Sequence, residues 1–128
     1  MRIALLVAGA FLALPAAGVV GSAAFADPSG CTAAVPDFGV NSSGRLQALG
    51  EGHCSTSANR NLQVEVKHDL TLQPDPVVVH ANDVRSSTYY SAVPAGCDNG
   101  NTANYYGRAF FTTNTTYHDT SSRKFSVC

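Results

Sequence analysis

The chain has 128 residues, of which 45% are hydrophobic and 13% charged, and its formal net charge is −1. This length fits one domain, and Arg123-Lys124 is the one place where basic residues cluster. Nucleic acid and anionic membrane surfaces are bound by concentrated positive charge, so we expect neither as a partner.

Residues 1–26 have the pattern of a cleaved export signal. A single early charge, Arg2, precedes an apolar run from Ile3 to Val20, and Ala24-Phe25-Ala26 fits the small-x-small cleavage pattern. The alternative is a membrane anchor, but glycines and a proline interrupt the run and no basic stop-transfer cluster follows. We predict cleavage here, which leaves residues 27–128 as a single secreted domain without membrane insertion.

Alternation with a period of two predicts strands through the mature region. In "RLQALGEGHC" one face would carry Leu46, Ala48, Gly50, Gly52 and Cys54, and the glycines suggest a bulge or close backbone packing. In "NLQVEVKHDL" one face would carry Leu62, Val64, Val66, His68 and Leu70. The opposite face is polar, so Glu65 is expected to be a solvated charge. "SANRN" would be a hairpin loop that links the two strands.

The rest of the chain reads as shorter strands separated by turns. "QPDP" predicts a turn, "VVVHA" a strand, "AND" a turn and "RSSTYYSAV" a strand. "PAGCDNGN" predicts a loop, "ANYYGRAFFTT" a strand, "NTTYHDTSS" a loop and "RKFSVC" the last strand. Six or seven strands at this spacing predict an all-β fold, an antiparallel β-sandwich of the immunoglobulin-like, Greek-key kind, with a small barrel as the alternative.

The four cysteines predict two disulfides. Cys31, Cys54, Cys97 and Cys128 all lie in the predicted exported part, and a small secreted domain commonly depends on such bridges. Three pairings are possible, of which we expect the sequential one, with Cys128 near the sheet margin. Zinc is the competing use of cysteine, but no C-x-x-C or paired histidine is present.

These features together resemble a known group of proteins. The signal, the cysteine that ends a strand, the V-x-V strand after it, "YYGRAFF" and the final cysteine resemble small secreted actinobacterial proteins with two disulfides. The layout is also similar to that of tendamistat-type α-amylase inhibitors, which are small β-sandwiches with two sequential disulfides. That family inhibits through a Trp-Arg-Tyr turn, and this chain has no tryptophan, so amylase inhibition is not carried over.

The sequence contains no strong catalytic motif. No G-x-S-x-G, H-E-x-x-H or P-loop is present, and each of the four histidines has an ordinary structural interpretation. We therefore expect no catalytic residues, no cofactor and no bound metal. A small secreted hydrolase that uses His118 and Asp119 stays open as an alternative.

The predicted strand "ANYYGRAFFTT" carries the best candidate surface. Alternation places Tyr105, Gly107, Ala109 and Phe111 on one face and Tyr106, Arg108 and Phe110 on the other. Tyrosine and arginine are frequent in binding hot spots. The candidate surface therefore comprises Tyr106, Arg108, Phe110, Asn114, Tyr117 and His118.

We expect a monomeric, non-enzymatic secreted protein that binds an extracellular protein or a glycan. An alternative is an inhibitor of an extracellular hydrolase that would insert "SANRN", around Arg60, or "PAGCDNGN" into its target.

Overall fold

The computed structural model describes Pro28 and residues 30–128, so the predicted signal and its cleavage point lie outside the described residues. The described part contains seven strands, which confirms the all-β prediction. They are β1 (Cys31–Val40), β2 (Leu46–His68), β3 (Val77–Ala92), β4 (Ala95–Gly96), β5 (Thr102–Phe111), β6 (Asn114–Asp119) and β7 (Arg123–Ser126). No helix in these residues is long and apolar enough to cross a membrane.

All seven strands belong to one antiparallel sheet organised around β2. The order β1-β2-β5-β6 forms its main path, β3 and β4 also pair with β2, and β7 pairs with β5. The two halves of β2 share β3 as one neighbour but differ in the other, since residues 46–54 pair with β1 and residues 62–68 pair with β5. The long strand therefore joins two layers.

The two layers meet because β2 folds over on itself. A Cβ atom placed on Gly50 would lie 2.1 Å from Cγ2 of Val64, and one placed on Gly52 would lie 2.6 Å from the Phe111 ring. The glycines thus permit a close approach of the two layers, as their positions in the alternating pattern predict.

The prediction of a hairpin loop at "SANRN" is wrong, because these residues continue β2 through its bend. Between His53 and Ala58 the pairing with β3 is irregular, and the four intervening residues of β2 oppose a single residue of β3. The extra residues allow the strand to change direction without ending. The Arg60 side chain lies along this bend and donates to the Thr56 carbonyl at 2.7 Å.

Two further predicted breaks are also absent. The predicted turn "AND" lies inside β3, which is continuous over 16 residues, and the predicted loop "NTTYHDTSS" contains β6. The Tyr90 side chain is fully buried at the bend, and its hydroxyl lies 2.9 Å from the carbonyl oxygens of both Ala58 and Arg85. One buried phenol therefore joins the bends of β2 and β3.

The core lies between the layers and matches the predicted alternation of β2. Leu62, Val64 and Val66 are fully buried in the second half of the strand. In the first half the buried face consists of Leu46, Ala48, Gly50, Gly52 and Cys54. Large side chains from other strands complete the core, mainly Phe38, Tyr90, Tyr105, Phe111 and Val127.

Both disulfides have the predicted sequential pairing. Cys31 and Cys54 are direct cross-strand partners in β1 and β2, with Cα atoms 4.0 Å apart, and both are buried. Cys97 and Cys128 form the second bridge, which is exposed at the sheet margin. In the chain-entropy model, each bridge stabilises the fold by about 3–4 kcal/mol because it restricts the unfolded chain.

Candidate functional site

Strand β5 carries large side chains on both faces, and both faces are covered. Tyr105 and Phe111 are fully buried in the core. On the opposite side Tyr106 and Phe110 are also buried, at 9% and 7% exposure, and the Arg108 side chain is 15% exposed. We call this second side, formed by β3, β2, β5 and β6, the outer face.

Tyr106 anchors the loop before β3 to the outer face. Its hydroxyl donates to Oδ2 of Asp75 at 2.7 Å, while the backbone N–H of Leu70 donates to Oδ1 of the same carboxylate at 2.8 Å. Both bonds lower the pKa of Asp75, and the bond from the Leu70 backbone has the larger effect. Burial, and then the bond to Asp75, raises the pKa of Tyr106. The pair has a structural role at one end of the candidate surface.

Arg108 lies at the centre of the candidate surface and is held on two sides. Its Nε and one terminal nitrogen donate to the two carboxylate oxygens of Asp119 at 2.8 and 3.0 Å. Its guanidinium carbon lies 3.9 Å from the centre of the Tyr117 ring. The bond to Asp119 raises the pKa of Arg108, so the guanidinium stays charged.

Tyr117 is the accessible part of this cluster. Its ring meets the Phe110 ring edge-on at a centroid distance of 4.9 Å, and 49% of the residue is exposed. The ring therefore contacts Arg108 and Phe110, and about half of the residue remains accessible. We call Arg108, Asp119, Phe110 and Tyr117 the Arg–Tyr stack.

The other predicted surface residues on β6 do not all join this stack. Asn114 begins β6 opposite Phe111. His118 pairs with Ala109, which is fully buried, whereas Asp119 pairs with Arg108. Neighbouring residues of a strand point to opposite sides, so His118 and Asp119 lie on different faces of the sheet.

Glu65 differs from its predicted solvated state, since it is only 8% exposed. It lies on β2 between His80 of β3 and Arg108 of β5 in the strand register, and Nε2 of Gln63 donates to its carboxylate at 2.6 Å. Glu65, Arg108 and Asp119 thus form a row of alternating charge across three strands. Sequence alternation assigned Glu65 to the correct face but held no information on the neighbours that cover it.

A second group on the outer face was missed by the sequence interpretation. Nδ2 of Asn82 donates to Oδ1 of Asn61 at 2.8 Å and to Oε1 of Gln63 at 3.2 Å. We call Asn61, Gln63 and Asn82 the amide row. Gln63 is opposite Phe110 in the pairing of β2 with β5, which places the row beside the Arg–Tyr stack. No sequence motif marks the row, because its members meet only through the β2–β3 register.

The remaining histidines lie in three separate environments. The His68 ring packs at 5.2 Å from that of Tyr105, and His80 is exposed on β3. His53 lies on the other layer, where its ring is 4.9 Å from that of Tyr89 and its Nε2 is 3.8 Å from Oε1 of Glu51. Within the described residues, no three histidine, cysteine or acidic side chains are grouped so as to hold a metal ion.

A shallow depression of about 140 Å³ lies apart from the candidate surface. Asp37, Gly39, Val40, Asn41 and Gln47 line it. None of the histidines contributes to its lining, so the proposed acid–base residues do not meet there.

Comparison with known proteins assigns no family. No protein-family model and no curated protein matches the chain. Among solved structures, the beta-glucosidase DesR from Streptomyces venezuelae, in complex with D-glucose, is similar over 77% of this chain, with 11% identity and a TM-score of 0.46. The chain spans only 15% of that protein's length. A similarity of this extent assigns no activity.

Proposed function

We propose that the mature chain is a secreted, non-enzymatic protein that binds an extracellular partner through the Arg–Tyr stack. The observation that supports this most directly is the state of Tyr117. The residue is 49% exposed, yet its ring contacts both the Arg108 guanidinium, at 3.9 Å, and the Phe110 ring, at a centroid distance of 4.9 Å.

A tyrosine held in this way is a preorganised contact. Binding normally costs the entropy of ordering interface side chains, and a ring that is already fixed loses less on contact with a partner. Arg108 is itself fixed by two hydrogen bonds to Asp119. Tyrosine and arginine also supply a large share of the binding energy in known interfaces. The stack therefore has the properties of a binding hot spot.

The covalent framework is consistent with a location outside the cell. Both disulfides join strands or segments that are far apart in sequence, with separations of 23 and 31 residues. Such bridges persist in oxidising compartments, and residues 1–26 are predicted to direct export.

The alternative of a hydrolase that uses His118 and Asp119 receives no support from this geometry. The Asp119 carboxylate is bound to Arg108, and His118 points to the other side of β6. A carboxylate that orients a catalytic imidazole must contact it directly.

The proposal is tested by capture experiments with matched tyrosine variants. The purified mature domain, immobilised, is exposed to culture supernatant and cell-envelope extract. Tyr117→Ala removes the proposed contact. Tyr89→Ala is the control, because Tyr89 is also exposed, at 40%, but lies on the other layer. Thermal unfolding of each variant confirms that it is folded.

We expect Tyr117→Ala to lose the captured partner and Tyr89→Ala to keep it. Tyr117→Phe should keep it too, since the ring and its packing remain. Equal capture by wild type and Tyr117→Ala would refute the role of the stack.

A second candidate is inhibition of a hydrolase through the turn after Cys97. Asn99 and Gly100 both have positive φ values, 56° and 71°, and both are exposed. The turn is held by the Cys97–Cys128 bridge and by the Tyr105 hydroxyl, which donates to Asp98 at 2.5 Å. Inhibition of a protease or glycosidase that is lost in Asn99→Lys and kept in Tyr117→Ala would favour this function.

A further inference from the structure

We propose that the ligand of the outer face is a neutral polysaccharide, bound jointly by Tyr117 and the amide row. This inference rests on the proposed function, because it names the ligand class of the same surface. It adds Asn61, Gln63 and Asn82 as binding residues.

The amide row and Tyr117 form one continuous strip across the sheet. Asn82 on β3 pairs with Gln63 on β2, Gln63 pairs with Phe110 on β5, and the Phe110 ring contacts Tyr117 on β6. Three interstrand spacings separate the ends of the strip, a span of about 14 Å. A short stretch of an extended glycan chain can contact both ends at once.

The amide row has hydrogen-bonding capacity left for such a ligand. Asn82 uses its nitrogen for Asn61 and Gln63, and Gln63 donates one N–H to Glu65. In the described part of the chain, this leaves the Asn82 oxygen, the Asn61 nitrogen and one N–H of Gln63 without partners. Sugar hydroxyl groups both donate and accept hydrogen bonds, so they can pair with the donors and the acceptor that the amide row holds in fixed positions.

The charged groups at the centre of the outer face are paired or buried. Arg108 lies between Glu65 and Asp119 in the register and makes two hydrogen bonds to Asp119. Glu65 is only 8% exposed and accepts a hydrogen bond from Gln63, so no exposed unpaired charge lies at the centre of the face for a charged ligand. A neutral ligand fits this arrangement best.

Arg108 also influences what can stack on Tyr117. A cation above one side of an aromatic ring offsets the negative potential of the ring, so the other side attracts a second cation less strongly. The outward surface of Tyr117 therefore favours a neutral group with C–H bonds, such as the face of a pyranose ring, over lysine or arginine of a protein partner. This favours a glycan over a basic peptide.

Binding to solid polysaccharides tests the inference. The mature domain is mixed with microcrystalline cellulose and with chitin, and the bound fraction is measured over a range of protein concentrations and at two salt concentrations. The variants are Asn61→Ala, Asn82→Ala and Tyr117→Ala. Asn101→Ala is the matched control, since Asn101 is an exposed asparagine outside the strip, near the second disulfide.

We expect binding to at least one of the two polysaccharides that does not weaken as salt is raised. Each single asparagine variant of the amide row should weaken it about three- to tenfold, the effect of losing one or two hydrogen bonds. Tyr117→Ala should abolish it, and Asn101→Ala should leave it unchanged. Thermal unfolding separates these effects from loss of the fold.

Three results would overturn the inference. Absence of binding to both polysaccharides, together with Tyr117-dependent capture of a protein, would leave the proposed function intact and exclude the glycan. Binding that is unchanged in all three strip variants would place the glycan site elsewhere. Binding that disappears at high salt would show that charge, and not the amide row, carries the interaction.

Discussion

Gly50→Ala tests the packing of β2 against itself. The added methyl carbon would lie 2.1 Å from Cγ2, 2.8 Å from Cγ1 and 3.0 Å from Cβ of Val64. Carbon atoms in contact normally lie about 3.5–4.0 Å apart, so Val64 or the whole layer must move by more than 1 Å. Val64 is fully buried, so its side chain cannot turn into solvent.

Overpacking of this kind costs typically about 1–3 kcal/mol, and we expect the upper end because a backbone and a β-branched side chain are both constrained. For a domain of this size, that cost lowers the melting temperature by about 10 °C or more. Chemical unfolding monitored by circular dichroism gives the free energy of unfolding. Gly39→Ala is the control, since its Cβ atom would meet only the Arg123 side chain at 3.9 Å.

A double-mutant cycle identifies the cause. In a Val64→Ala background the two Cγ atoms are gone, so Gly50→Ala should cost much less than in the wild type. An equal cost in both backgrounds, or a cost no greater than that of Gly39→Ala, would refute the close approach of the two halves of β2.

Three further predictions concern single interactions. Because hydrogen bonds lower the pKa of Asp75 in the folded state, stability should fall as the pH drops below the ordinary carboxyl value of 3.8. In Asp75→Asn, the free energy of unfolding in urea should depend less on pH between about pH 5 and pH 2. An unchanged pH dependence would exclude the hydrogen bonds to Asp75. A double-mutant cycle between Arg108→Ala and Asp119→Ala should give a coupling of about 1 kcal/mol, since the pair is partly exposed, and zero coupling would contradict its two hydrogen bonds. Mild reduction followed by alkylation and mass spectrometry should label Cys97 and Cys128 before the buried bridge between β1 and β2; the reverse order would conflict with their exposure.

Local alternation in the sequence predicted the core face of β2 and the two faces of β5 correctly. The disulfide pairing also followed the prediction, since sequential cysteines close loops of moderate size. These features depend on the spacing of nearby residues or on chain connectivity, and both can be taken from the sequence alone.

The continuity of the long strands was not predicted, for a physical reason. Serine, asparagine and glycine commonly mark turns, but the bend of β2 keeps its pairing with β3 on both sides of the irregularity, so the polar run does not end the strand. The burial of Glu65 and the contact of Arg108 with Tyr117 depend on register between strands that are distant in sequence. A slip of one residue would reverse every side chain, and single-sequence patterns do not fix that register.

The amide row illustrates the same limit. Asn61 and Gln63 are two residues apart on β2 and are visibly on one face, but Asn82 joins them only because β3 pairs with β2 in this register. Alternation in the sequence therefore indicates the aromatic half of the candidate surface but not the amide half.

The position of a bound partner on the protein tests the proposed binding surface most directly. Hydrogen exchange of the mature domain, alone and saturated with the partner or polysaccharide that it captures, measures this residue by residue. We predict slower exchange in residues 108–119, which contain the Arg–Tyr stack, and no change in residues 85–91 around Tyr89 on the other layer. Protection confined to residues 85–91, with residues 108–119 unchanged, would contradict the proposed binding surface.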